Sequence, residues 1–281
     1  MNYWIWYASL PIKLNDKFKI IEKFKEPKQI YKATSKALRA VKEIDENSYE
    51  TILKNKDERL ISRMEEYMNK NDIKYITILD ENYPANLKKI YDPPVLLFYK
   101  VNIELLKYKK IAVIGSIKAT NYGMNTAFRI SKELSKKYVI ISGLARGIDS
   151  AAHNGSIYAN SKTIAVVGNG LDTVYPKENT NLFKSILKNG LIISEYVVGT
   201  KPMPSNFPER NRIISGLSSG VIVVEAAKKS GALITADLAL EQGKTVYAVP
   251  GNITSTRSEG TNELIKDGAI LVNSLEDITD L

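Results

Sequence analysis

The chain has 281 residues, 44% of them hydrophobic and 25% charged, a composition typical of a globular protein with one large domain or two smaller ones. It has no cysteine and a single histidine, His153, which excludes disulfide bonds, thiolate metal sites and histidine-based metal clusters. The formal net charge of +9 fits either solvated lysine-rich surfaces or an anionic partner, most often a nucleic acid.

The apolar runs in the sequence are of strand length, far short of the roughly 20 residues of a membrane span. The first residues lack the basic region and the cleavage site of a signal peptide. We therefore expect a cytoplasmic protein with no membrane contact and, although carboxylate sites remain possible, no metal.

Residues 1–70 predict a small helical domain. Apolar residues such as Phe18, Ile21 and Phe24 recur at helical spacing. None of the 16 glycines precedes Gly115, and a helix-hairpin-helix DNA module normally places glycine in its hairpin. We therefore assign this domain to packing or self-association rather than to DNA chemistry.

Residues 71–281 predict an α/β domain. Two strands, near 75–79 and 95–99, lead into a regular alternation of continuous apolar runs and helical patterns. The predicted strands lie near 111–114, 138–142, 163–167, 191–194, 221–225, 245–249 and 269–272, and the helices near 122–136, 148–158, 179–188, 208–217, 231–241 and 260–266. Continuous apolar runs are typical of parallel strands buried on both faces. We predict an extended Rossmann-like, doubly wound, mostly parallel sheet.

The first strand-to-helix turn starts at Gly115-Ser116 and carries Lys118. It is not a G-x-G-x-x-G dinucleotide fingerprint, and the sequence has no G-x-x-x-x-G-K-[ST] motif, so a nicotinamide dehydrogenase and a P-loop NTPase are disfavoured. Backbone donors, a hydroxyl and a cation suit one phosphate at a helix N-terminus. A tight connection with an exposed lysine explains the turn equally well.

The second turn has Arg146 between Gly143 and Gly147. Asp149 follows in the first helical turn, where a carboxylate caps the helix or favours its dipole. His153 lies one turn further on, with no nucleophile beside it, and is predicted to be a packed, hydrogen-bonded residue rather than a catalyst.

The segment around residues 201–218 concentrates positive charge. Pro208 suits the first position of a helix, so Arg210, Asn211 and Arg212 are expected in the opening turn, with Lys201 in the loop before it. Cations at that end oppose the helix dipole. A local rule broken in this way favours an anion site over a solvated basic face.

Three further turns are expected at the same edge of the sheet. Tyr175 is predicted either to stack on a base or to pack. Glu225, at a strand end, suits a ribose hydroxyl, an amine or a neighbouring arginine. Ser230 is a plausible N-cap before Gly231, and the loop at 250–260 is predicted to close over this edge.

Taken in order, these turns resemble the DprA/Smf family (DNA-processing protein A). The resemblance is strong over about 111–272 and clear over 83–99. The matching stretches are GS (115–116), SGLARGIDSAAH (142–153), VVGNGLDTVYP (166–176), FPERNRIISGLS (207–218), SGALITADLALEQGKTVYAVPG (230–251) and GTNELIKDGA (260–269).

The resemblance implies a protein that binds single-stranded DNA, protects incoming strands and loads the recombinase RecA during natural transformation or recombination. It also implies a homodimer through the Rossmann-like domain, no enzymatic activity and no cofactor. We expect no C-terminal winged-helix domain, which many family members carry.

The resemblance also indicates which residues form the DNA pocket. They are Gly115, Ser116, Gly143, Arg146, Lys201, Arg210 and Arg212. The turns themselves add Lys118, Gly147, Asn211, Ser230 and Gly231. One residue departs from the family pattern: Ile117 stands where an arginine usually follows Gly115-Ser116, and the ammonium of the neighbouring Lys118 is not equivalent to a guanidinium.

Two other functions stay open. The fold also resembles nucleotide-processing Rossmann proteins, including phosphoribohydrolases, which carry a P-G-G-x-G-T motif and a catalytic glutamate. The corresponding stretch here, residues 224–231, lacks the glycine pair. The second alternative is a scaffold that binds a small nucleotide or only a protein partner.

Overall fold

The computed structural model describes residues 2–279. A group of helices comes first, and a nine-stranded sheet with helices on both faces follows. The strands are β1 Lys74–Thr77, β2 Leu96–Val101, β3 Lys110–Ile114, β4 Val139–Ser142, β5 Thr163–Val167, β6 Leu191–Ser194, β7 Gly220–Val223, β8 Thr245–Ala248 and β9 Ile270–Leu271. The helices before the first strand are α1 Tyr3–Ser9, α2 Leu14–Phe24, α3 Pro27–Lys32, α4 Ser35–Arg39, α5 Glu46–Lys54 and α6 Glu58–Lys70. Those that follow are α7 Ala85–Lys88, α8 Asn121–Leu134, α9 Ile148–Tyr158, α10 Thr180–Asn189, α11 Asn206–Leu217, α12 Gly231–Glu241 and α13 Glu259–Lys266.

The strand order is β1-β2-β6-β5-β4-β3-β7-β8-β9. All neighbouring pairs in the stretch β6-β5-β4-β3-β7-β8-β9 are parallel. Strand β2 is antiparallel to both of its neighbours, β1 and β6. Strands β4, β5 and β6 follow one another on one side of β3, and β7, β8 and β9 lie on its other side. The doubly wound, mostly parallel sheet predicted from the sequence is confirmed, and its topological switch point lies between β3 and β7.

Two apolar clusters fill the space on the two sides of the sheet. Helices α8 and α9 contribute Ala127, Ile130 and Ile148 to one cluster. Helices α11 and α12 contribute residues such as Ile214 and Ala236 to the other. Both faces of the central strands are therefore buried, which is why their sequences are continuously apolar.

The N-terminal helices belong to the second of these clusters. Trp6, Tyr7 and Ile20 are buried in the same continuous core as one face of the sheet. Lys17 is buried nearby and donates a hydrogen bond to the carbonyl of Ala8 at 2.7 Å. The boundary placed near residue 70 stays a prediction, since packing across it is continuous.

Most predicted elements agree with the structure to within a few residues. The main shift concerns α11, which begins at Asn206 rather than at Pro208. Proline is tolerated at the third helical position because the first four N–H groups of a helix have no partner within the helix. Arg210 and Arg212 consequently lie in the second turn, and not at the helix end as predicted.

Within residues 2–279, no helix is both long and apolar enough to cross a bilayer.

Candidate nucleic-acid interface

A cavity of about 640 Å³ opens at the switch point, where the turns after β3, β4 and β7 face one another. Nine of the twelve predicted site residues line it. They are Gly115, Ser116, Lys118, Gly143, Arg146, Arg210, Asn211, Ser230 and Gly231. The other three, Gly147, Lys201 and Arg212, do not line this cavity.

The turn after β3 is held firmly on both sides. The N–H of Ser116 donates to the carbonyl of Glu225 at 2.7 Å, and the Ser116 carbonyl accepts from the N–H of Ile148 at 3.3 Å. The carboxylate of Glu225 accepts from the N–H of Thr120 at 3.0 Å and also from its hydroxyl. Glu225 therefore binds Thr120, not the arginine or amine considered from the sequence. Lys118 is left exposed at the mouth of the cavity.

Two glycines are required by close approach. Gly147 has φ +77°, and a Cβ there would collide with the carbonyl oxygen of Ser116. A Cβ on Gly143 would collide with the guanidinium of Arg210. Gly147 thus acts by letting the turns after β3 and β4 pack together, outside the cavity lining.

Asp149 organises the turn after β4. Its Oδ2 accepts from the N–H groups of Gly143 and Ala145 at 3.1 and 3.2 Å. Burial raises the pKa of this carboxyl, while the nearby charge of Arg210 opposes that rise. The predicted capping role is confirmed in a modified form, because the carboxylate binds the turn before its own helix.

His153 is fully buried, as predicted for a structural histidine. Its Nδ1 lies 2.8 Å from the hydroxyl of Thr163, which itself donates to the carbonyl of Ile140. Because that hydroxyl proton is committed, Nδ1 carries the proton of the neutral ring and donates it. Burial, with the charge of Arg210, lowers the pKa of His153 to about 3.

Arg210 lies beneath the cavity rather than reaching into it. Its Nη1 donates to the carbonyls of Gly143 and Val166, which joins the ends of β4 and β5. The guanidinium carbon lies 5.9 Å from the centre of the Phe207 ring. Burial lowers the pKa of this guanidinium. Arg210 therefore shapes the cavity floor and contributes positive potential from below.

The placement of Arg212 corrects the sequence interpretation. Its side chain is 4% exposed and forms ion pairs with Glu195 at 2.8 Å and Asp92 at 3.0 Å. Burial alone lowers the pKa of this guanidinium, but Glu195 and Asp92 outweigh burial and leave it raised. Arg212 thus has two carboxylate partners within the protein, and its charge does not call for a phosphate.

Two exposed cations lie nearer to solvent. Arg146 lines the cavity and forms an exposed ion pair with Glu178 at 3.1 Å, a type of contact that contributes little and is easily exchanged. Lys201 lies in the loop before α11, exposed but outside the cavity lining. Only Arg146 of this pair is positioned to contact a ligand in the cavity.

An aromatic pair forms one wall. The rings of Tyr175 and Phe207 are stacked, with centroids 5.5 Å apart and planes inclined by 25°. Both side chains line the cavity. Tyr175 therefore packs, one of the two roles expected for it, and still presents a partly exposed ring to the cavity.

Arg257 lines the cavity but was not among the site residues predicted from the sequence. This half-buried residue lies in the loop between β8 and α13. The loop is anchored by the N–H of Gly260, which donates to the carbonyl of Ala226 at 2.8 Å. Within residues 2–279, the Arg257 guanidinium has no hydrogen bond or ion pair. The available signal was an arginine in a loop already expected to close over this edge.

The cavity is positively charged. Its lining includes four cations, Lys118, Arg146, Arg210 and Arg257, and one carboxylate, Asp149, among the described residues. Nowhere in residues 2–279 do three acidic or histidine side chains come together as a metal site. Ser230 confirms its predicted role as an N-cap, since its hydroxyl accepts from the N–H of Ala232.

Comparison with known families identifies the chain. A model of the DNA recombination-mediator protein A family matches residues 74–281. The chain belongs to this family. Among curated relatives, DNA processing protein DprA of Streptococcus pneumoniae is 48% identical over 202 residues, 72% of each chain. Protein Smf of Escherichia coli is 46% identical over 202 residues, 71% of this chain and 54% of that protein. The resemblance drawn from the motifs is confirmed.

Solved structures agree with this membership. The X-ray structure of DprA from S. pneumoniae superposes with a TM-score of 0.88 at 38% identity, over 99% of this chain and 96% of that one. A DprA structure from Helicobacter pylori, described as giving insight into its single-stranded DNA binding mode, has a TM-score of 0.66 at 33% identity. It covers 73% of this chain and 93% of its own.

Proposed function

We propose that this protein binds single-stranded DNA in the switch-point cavity, protects the strand and delivers it to the recombinase RecA. The observation that carries the proposal is the set of available cations around the cavity. Lys118 and Arg257 have no partner within the described chain, and Arg146 has only an exposed one. A phosphate backbone supplies the negative charge that these groups lack.

The aromatic wall supports a nucleic acid over a free inorganic anion. Tyr175 and Phe207 offer ring surface beside the cations. Stacking of a base on an aromatic side chain contributes about 1–3 kcal/mol and tolerates any base. We therefore expect little sequence preference. The single-stranded DNA binding described for the H. pylori relative supports the same ligand class.

The carboxylates support binding rather than hydrolysis. Asp149 is committed to two backbone N–H groups, and Glu225 to Thr120. A phosphoribohydrolase-like reaction needs a carboxylate free to act on the substrate. We therefore propose a binding protein without catalytic activity or cofactor.

Fluorescence anisotropy of a labelled oligonucleotide, titrated at several salt concentrations and challenged with duplex competitor, tests the binding. With Lys118, Arg146 and Arg257 each contacting one phosphate, the slope of log K against log salt is expected to be about −2 for a single strand. Failure to bind at low salt, together with a thermal shift by mononucleotides, would instead favour a nucleotide-binding scaffold.

We further propose that the protein works in the cytoplasm as a homodimer through its Rossmann-like domain. Strand β9 is an edge strand and exposes Ile270 and Leu271, which supports a self-complementary contact there. Light scattering of Leu271→Lys against the wild type tests the dimer. RecA filament formation on strands coated by a single-strand-binding protein, with and without this chain, tests the delivery step.

A further inference from the structure

A second depression adjoins the DNA cavity. It is an open groove of about 810 Å³ between α8 and α9. Arg146 lines both the cavity and the groove, so a ligand that leaves the cavity past Arg146 enters the groove directly. Both helices begin at the strand ends that surround the cavity, and the groove follows them away from it.

The groove carries an aromatic pair, the exposed Tyr158 and the half-buried Phe128. The rings of Phe128 and Tyr158 meet edge to face with centroids 5.4 Å apart. Tyr158 is 69% exposed, so one face of its ring is available to a ligand. The ammonium of Lys132 lies 5.1 Å from the centre of the Tyr158 ring. Ring surface and positive charge therefore occur together, as in surfaces that hold single strands.

Two unused amides line the same groove as the aromatic pair and Arg146. Asn125 of α8 and Asn154 of α9 both line the groove and are exposed. Neither side chain forms a hydrogen bond to another part of residues 2–279. An amide can donate and accept at the edge of a base. Asn179, which also lines the groove, already binds the carbonyl of Leu144 and the hydroxyl of Ser150.

The groove has a rigid floor. A Cβ on Gly155 of α9 would collide with the carbonyl oxygen of Phe128, so the two helices approach each other more closely than other residues allow. None of the described residues that line the groove is acidic. The surface is therefore preformed, and it presents no carboxylate that would repel phosphates.

We propose that this groove is a second subsite for the same single strand. Nucleotides that leave the cavity pass Arg146, stack on the Phe128–Tyr158 pair, and present their base edges to Asn125 and Asn154. Lys132 faces the backbone of this part of the strand. The proposal rests on the proposed function, since the groove is filled by continuation of the strand bound in the cavity.

The groove suits a nucleic acid better than a protein partner. Protein interfaces are depleted of charged residues at their centre and are filled by apolar side chains. Here apolar side chains such as Met124 and Ile157 line the groove together with two free amides. Arg146 also lines it, and Lys132 adjoins it through the Tyr158 ring. Continuity with the cavity fixes the occupant as the adjoining nucleotides.

Oligodeoxythymidylates of about 4 to about 16 nucleotides separate the two subsites, because short strands fill only the cavity. Anisotropy is measured with the wild type, with Tyr158→Ala and with Asn154→Asp. We expect both variants to bind the shortest strands like the wild type and to lose about fivefold or more in affinity for the longest. Tyr108→Ala is the matched control, because Tyr108 is 61% exposed and lines neither depression.

The outcomes distinguish the two proposals. If the wild type binds no strand of any length, the proposed function fails. If it binds tightly but Tyr158→Ala and Asn154→Asp match it at every length, the groove is not a subsite. Equal losses for short and long strands would also overturn the second subsite. Unchanged DNA binding with loss of RecA delivery or self-association would reassign the groove to a protein.

Discussion

Arg212 and Glu195 form a buried ion pair, with Nη2 of the arginine 2.8 Å from the carboxylate and side chains 4% and 8% exposed. Arg212 Nε also reaches the carboxylate of Asp92, in the segment between α7 and β2. The pair thus joins α11 to the end of β6 and to the antiparallel part of the sheet. Its function is to hold these elements in place.

Arg212→Ala is therefore expected to destabilise the fold. The substitution leaves Glu195 buried without its partner, at a cost of about 3–5 kcal/mol in the free energy of unfolding. Urea unfolding measures this cost. The double variant Glu195→Ala, Arg212→Ala should lose less than the sum of the single variants. If the Arg212→Ala protein is stable and its DNA binding has a flatter salt slope, Arg212 contacts DNA after all.

The two unpartnered cations of the cavity should behave differently from Arg212. Lys118→Ala and Arg257→Ala are expected to leave stability nearly unchanged and to weaken single-strand binding. Each should reduce the salt slope by roughly 0.7, the contribution of one phosphate contact on a single strand. Lys188→Ala provides the control, since this exposed lysine lies in the last turn of α10, away from the cavity. An unchanged slope for both variants would contradict the assignment of the site.

Ile117→Arg is expected to strengthen binding. Ile117 lines the cavity and is 56% exposed, so a guanidinium there needs no burial. The new charge should increase affinity for single strands and steepen the salt slope by roughly 0.7. Leu60→Arg adds the same charge on α6, where Leu60 is also exposed. Equal gains from both variants would show a general charge effect rather than a contact in the cavity.

The stability of the protein should depend on pH through His153. Its pKa of about 3 in the folded state lies below the ordinary value near 6.5, so between these values the unfolded chain binds one proton more. The contribution is complete above pH 6.5 and is lost as pH falls towards 3. It amounts to about 2 kcal/mol between pH 7.5 and pH 5.

Urea midpoints of the wild type and of His153→Gln across this range measure the effect. The variant has no histidine, so its free energy of unfolding should vary less steeply with pH, whatever its absolute stability. Parallel pH profiles for the two proteins would rule out a shifted His153.

Much of the fold and part of the site could be predicted from the sequence. Strands buried on both faces are continuous apolar runs, and α9 and α12 begin and end where their patterns do. The turns converge because the carboxyl ends of parallel strands lie at one edge. That rule and the family resemblance together supplied nine residues of the cavity lining.

The partners of the buried arginines could not be predicted. Arg210 binds the carbonyls of Gly143 and Val166, and Arg212 the carboxylate of Asp92, groups far away along the chain. A sequence shows a cation near a helix start but not which distant backbone atoms fold against it. For the same reason Arg257, isolated in a loop, gave little sign that it faces the cavity.

Because Arg210 and Arg212 point into the protein, the presence of their motif in a sequence indicates the fold rather than DNA binding. Both arginines of the segment FPERNR are buried and bind groups within the protein, so we expect folding to require them whatever the protein then binds. Selection for folding alone would preserve them in a descendant that had abandoned DNA. Ile117, Lys118 and Arg257 face outward and are free to vary with the ligand. A gain, loss or change of activity should therefore be visible at these three positions rather than in the motif by which the family is recognised.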